Sequence, residues 1–107
     1  MSDLALIAKL PDVKSAVLGD LGGAFLDAIQ EPDGETVAAV MGFAAAHLVE
    51  AGAQLGLGAL RTVLVAGPAR GCVVAVRARS VLTALVEPAR SLGAVEKAVE
   101  TSLKGWD

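Results

Sequence analysis

One stretch dominates the pattern of apolar and polar positions: residues 33–66, DGETVAAVMGFAAAHLVEAGAQLGLGALRTVLVA. At about 100° per residue, Val37, Val40, Met41, Ala44, Leu48, Ala51 and Leu55 share one stripe. That is the spacing of a helix laid on a core, and it predicts a helix from Glu35 to about Leu55. Beside the stripe runs a strip of small or apolar residues, Ala38, Gly42, Ala45, Val49 and Gly52. Glycine in a helix interior costs about 1 kcal/mol against alanine, so two on one strip predict a close approach by another backbone. A second helix is the expected visitor. The remaining face carries Thr36, His47, Glu50 and Gln54, with Phe43 among them. A helix apolar over more than half its circumference needs cover on two sides, and so short a chain has few elements to supply it. The expectation is a homodimer joined through the small strip.

The rest of the chain reads as short elements around that helix. Ser2 or Asp3 can cap a first helix through Leu4, Ile7 and Leu10, which Pro11 ends. Ser15 to Gly19 and Ala24 to Ile29 read as strands, joined at Asp20-Leu21-Gly22-Gly23 by glycines that permit hairpin geometry. Asp33 is placed to cap the long helix, and Glu35 favours its positive end. Leu60 to Ala66, Cys72 to Arg77 and Ser80 to Val86 are β-rich runs with connections short enough to force an antiparallel meander. After Pro88, Ser91 is the expected N-cap of a last helix with Leu92, Val95, Val99 and Leu103 buried; Glu100 and Lys104 are spaced to pair on it, and Gly105 ends it. The order is α-β-β-α-β-β-β-α. It predicts a single α+β domain with a five-stranded antiparallel sheet and helices packed on it.

Composition narrows the function. The chain has 107 residues, 54% apolar and 20% charged, with a net charge of -3. That size supports one core. Mild acidity with scattered basic residues gives no footprint for nucleic acid or anionic membrane, and 3% aromatics with no Tyr leave nothing on which bases would stack. The charge-free run from Thr36 to Val49 falls short of the ~20 apolar residues of a membrane span, and the N-terminus lacks the basic start of a signal peptide. The helix is thus expected to be buried in a soluble protein. One cysteine, Cys72, has no partner for an internal disulfide, so the expected compartment is the reducing cytoplasm.

Candidate chemistry is thin. His47 is the only histidine, which leaves no His-His or His-Cys metal cluster within one chain, and Cys72 opens an apolar strand where a buried, inert thiol is the usual state. Gly56-Leu57-Gly58 follows a helix and precedes a strand, the reverse of a dinucleotide fingerprint. Gly67-Pro68-Ala69-Arg70-Gly71 lacks the ending of a P-loop and is a turn. Glu96 and Glu100 on the outer face of the last helix, and Asp20, Asp27, Glu31 and Asp33 near strand ends, read as solvated surface. Arg61, Arg70, Arg77 and Arg79 are edge and turn charges that block unwanted strand pairing, or a docking patch for a partner. Phe43 is either an exposed anchor or a core residue. Trp106 is expected to tuck against the body. No catalytic residue, cofactor or metal is expected.

The order of elements, together with VLGDLGGAF, AQLGLGALRTVLVAG and LTALVEPARSLGAVEKAVE, resembles the Roadblock/dynein light chain family over nearly the whole chain. Gly56 to Leu64 and Glu87 to Gly93 are its most specific pieces, and neither is a catalytic motif. The compact Phe25 to Gly34 segment departs from the pattern. The resemblance implies a profilin-like three-layer fold whose dimers, homotypic or heterotypic, join through central helices and third strands, which adds Thr62 and Leu64 to the expected interface. It also implies a non-enzymatic partner of other proteins, such as MglB-type regulators of small Ras-like GTPases. Phe43, His47 and Glu50 are then the expected docking residues. The other reading is a regulatory sensor with a small ligand between helix and sheet.

Overall fold

The computed structural model describes residues 2–104, apart from the side chains of Ser2 and Asp3. The expectations for Gly105 and Trp106, and for capping by Ser2 or Asp3, lie outside the described residues. The elements are α1 (Ser2–Ala8), β1 (Val13–Gly19), β2 (Phe25–Ile29), α2 (Gly34–Gln54), β3 (Thr62–Ala66), β4 (Gly71–Val76), β5 (Val81–Val86), a 3₁₀ turn (Ala89–Ser91) and α3 (Leu92–Ser102). This is the expected α+β order.

The five strands form one antiparallel sheet in the order β2-β1-β5-β4-β3. Hairpins make neighbours of β1 and β2, of β3 and β4, and of β4 and β5, while β5 returns beside β1 to join the two groups. The central strands are nearly continuous apolar runs because helices cover both their faces. Side chains alternate along each strand, so the sheet has two cores. On one side, α1 and α3 lay Leu4, Ile7, Leu92, Val95, Val99 and Leu103 over Val73, Ala75, Leu82, Ala84 and Val86. On the other, a smaller cluster of Cys72, Val74, Val76 and Val81 lies beneath α2 and meets Ala45.

Two expected caps are absent. The Asp33 side chain makes no bond to the first amides of α2 and instead accepts from the Thr36 hydroxyl at 3.4 Å. Ser91 turns its hydroxyl to Asp12 at 2.6 Å, because a 3₁₀ turn rather than a free N-cap leads into α3. The far end of α2 closes in a Schellman motif. Gly56 at φ +72° lets its own N–H reach the Ala53 carbonyl at 3.1 Å and the Leu57 N–H reach that of Gly52 at 3.0 Å.

The main correction concerns which face of α2 meets the sheet. Ala38, Gly42, Ala45 and Gly52, expected to meet a second chain, are buried within this one. A Cβ on Gly42 would lie 2.7 Å from the Gly23 Cα and 2.8 Å from the Asp20 carbonyl oxygen. The backbone that comes so near is the β1–β2 turn, held by Asp20 accepting from the Gly22 and Ala24 amides at 2.9 Å each. Small residues win this face because they let the helix sit down on the turn. The stripe read as core is therefore displaced outward: Val40, Leu48 and Leu55 are exposed. With 21 residues, α2 is long and apolar enough to pass for a membrane span by length and composition, and its buried side is this narrow strip.

Candidate interaction surface

Spacing along α2 sorts its uncovered residues into two adjoining seams. Val40, Ala44, Leu48 and Ala51 recur at three- and four-residue intervals, as do Phe43, His47 and Glu50. Val40 is 57% exposed and Phe43 67%. Exposure settles the Phe43 alternative: it is not a core residue. Its ring lies 4.3 Å from that of His47, centroid to centroid, and His47 Nδ1 is 3.1 Å from the Phe43 carbonyl oxygen. The structure therefore brings Phe43, His47 and Glu50 together on one exposed face.

The strip residues Ala38, Gly42, Ala45 and Gly52 do not reach that surface, whereas Val49 remains exposed. On β3, Leu64 and Val65 are exposed on opposite faces of the sheet. Thr62 is half-buried, and its hydroxyl donates to Glu100. The strand is an edge of the sheet, so one side of its backbone has no neighbouring strand. TVLVA carries neither charge nor proline, the devices that ordinarily keep an edge from pairing. Leu55 and Leu57 extend the exposed apolar residues past the end of α2.

Two charges expected at the surface belong to a structural network. Arg77 is 5% exposed and donates to the Arg61 carbonyl at 3.0 Å, to the Val76 carbonyl at 2.8 Å and to Glu100 Oε1 at 3.1 Å. It does not join Arg79 on a docking patch, and Glu100 faces the sheet instead of pairing with Lys104 on the outer face. The signal in the sequence was an arginine closing an otherwise apolar strand, CVVAVR. A cation there needs a carboxylate to be buried. This pair ties α3 to the mouth of β3.

The arrangement offers little for bond-making chemistry. Cys72 is buried, and burial pushes its thiol pKa above the ordinary value, so it stays protonated at neutral pH. His47 is exposed on α2. Among the described residues no group of three or more His, Cys, Asp and Glu could hold a metal ion.

No family model and no curated protein matches the chain by sequence. Solved structures do match in shape. Myxococcus xanthus MglB aligns with a TM-score of 0.85 at 17% identity, over 96% of this chain and 87% of that one. A Roadblock/LC7 domain from Streptomyces avermitilis aligns at 0.74 and 24% identity, over 99% and 92%. An MglB structure with a tetrameric arrangement aligns at 0.71 and 18%, over 95% and 88%. At these identities the likeness is one of architecture, and this chain has the Roadblock/LC7 fold.

Proposed function

We propose that the chain is a non-catalytic scaffold that pairs with a second copy of itself and docks a small Ras-like GTPase. The observation that carries this reading is the uncovered apolar face of α2, together with the charge-free edge strand β3. Apolar area of this kind on a small protein marks a site of association. In the pairing, Val40, Ala44, Leu48, Leu64 and Val65 take the place first given to the small strip. The seam of Phe43, His47 and Glu50 is left to the partner.

The fold shared with MglB and Roadblock/LC7 structures supports a regulatory scaffold, and the tetrameric arrangement of one MglB structure supports self-association. The GTPase itself comes from the sequence resemblance. α2 carries no Lys or Arg, so its surface offers no guanidinium to a nucleotide site, and any effect on hydrolysis acts by positioning the GTPase's own residues. The proposed compartment is the cytoplasm, where a lone thiol stays reduced.

The test is binding of Ras-like GTPases from the same cell, loaded with GDP or a GTP analogue. Binding that depends on the nucleotide is expected. Phe43→Ala should weaken it at least about tenfold, as loss of an exposed aromatic anchor does. Failure of every such GTPase to bind in either state would contradict the reading.

A further inference from the structure

The two edges of the sheet are unlike. At β3 the register with β4 is unbroken from Thr62, opposite Ala75, to Ala66, opposite Gly71, and no charge or proline lies between them. The other edge is β2, which pairs only with β1. Its Phe25 and Leu26 are exposed, so a strand laid against β2 would cover apolar area. Yet the strand is interrupted along its length. The register slips between Leu18 and Gly19 and leaves Leu26 opposite no residue of β1, a bulge that twists an edge out of line. Beyond it, the Ala28 N–H donates to Asp27 Oδ1 at 2.8 Å. An amide has one hydrogen, and one given to the neighbouring carboxylate is not given to β1, so this N–H lies on the open side of the strand. Asp27 thereby occupies a donor that an added strand would need, and sets a negative charge beside it. Just past the strand, Gln30 takes φ +63°, out of the extended region, and the edge ends.

We propose that Asp27 is an assembly gate: its carboxylate closes the β2 edge against strand addition by further copies of this chain, so that the sheet extends only from β3. Two copies that pair through their β3 strands each use up an open edge, and the sheet they share then ends in β2 on both sides. Were β2 open as well, every pair would accept another and growth would not stop. With Asp27 in place the assembly closes at two. That number rests on the pairing proposed above; the closure of β2 does not, because β1 and β2 of a single chain set it.

Sedimentation velocity of the full chain over a concentration series is the test. Asp27→Val puts a strand-forming side chain in place of the carboxylate. It should yield species that grow with concentration to at least about twice the mass of the unaltered protein, because each freed β2 edge then takes a partner. Asp27→Ala removes the same acceptor and should behave alike. Adding Leu26→Lys to Asp27→Val returns a charge to the edge and should restore the mass of the unaltered protein. In a chain already carrying Val40→Asp, Asp27→Val should still raise the mass, which separates the gate from the pairing. The proposal is overturned if Asp27→Val and Asp27→Ala, both with the circular dichroism of the unaltered chain, keep its mass at every concentration. It is also overturned if Leu26→Lys leaves the growth undiminished, since the association then lies elsewhere. An unaltered chain that stays single while Asp27→Val assembles would sink the pairing and leave the gate standing.

Discussion

A methyl group on Gly42 has nowhere to go, and this decides a substitution that helix propensity alone would misjudge. On an exposed helix, Gly→Ala stabilises by about 1 kcal/mol. Here the added carbon meets the backbone of the β1–β2 turn within 3 Å at three atoms, so Gly42→Ala is expected to destabilise by about 1–3 kcal/mol in urea unfolding. A gain in stability would show that α2 does not sit on the turn. At Gly42 the sequence made a close approach legible, but not what approached, because spacing along a helix records that a neighbour is near without saying which chain supplies it; Gly52 meets only the Gly58 carbonyl oxygen, 3.9 Å from where its Cβ would be. Arg77 and Glu100 were misread for a related reason. They are 23 residues apart and meet only through tertiary packing. With Glu100 about a third exposed, Glu100→Ala should cost about 1–3 kcal/mol, and adding Arg77→Leu should recover part of the loss, since the first change alone leaves a buried cation unpaired. Equal or greater loss in the double variant would contradict that pairing. Cys72 gives a pH-dependent prediction. Its pKa is raised in the folded chain by burial, so the unfolded chain loses its thiol proton first as pH climbs. The Cys72 contribution is then undiminished at neutral pH and falls as pH rises past about 9, a decline that Cys72→Ala should remove from the urea midpoint.

At the scale of elements, the sequence carried the order of helices and strands because each apolar run ends in its own punctuation: Pro11, the Asp20 to Gly23 turn, Pro32, the Gly56 and Gly58 exit, Gly67 and Pro68, and Pro88. The meander of β3, β4 and β5 followed from connections too short for a crossover. The facing of α2 was not legible. Both strips are apolar at helical spacing, and the larger residues were read as core by habit, whereas distance to the sheet favours the smaller ones. In the proposed pairing the large apolar side chains left outside by that internal contact meet a second copy, and β3 lies at the sheet edge with one side of its backbone unpaired. Leu64→Lys puts a charge on that edge, and Val40→Asp puts one on the exposed seam. Each is expected to shift size-exclusion elution toward the single chain with no change in circular dichroism. Elution unchanged in both would move the interface elsewhere.

For the whole molecule the imbalance between the two sides is the central fact. The sheet's α1 and α3 side holds a well-filled core, while its α2 side holds a smaller one, topped by a helix whose outward face is Val40, Phe43, Ala44 and Leu48. Among the described residues no further element lies over that face. The account therefore requires a second copy, and sedimentation equilibrium of the purified chain measures it most directly. A mass twice that of the chain, lowered toward the single-chain mass by Val40→Asp but not by Phe43→Ala, is the predicted result. A single-chain mass for the unaltered protein across the whole concentration range would contradict it.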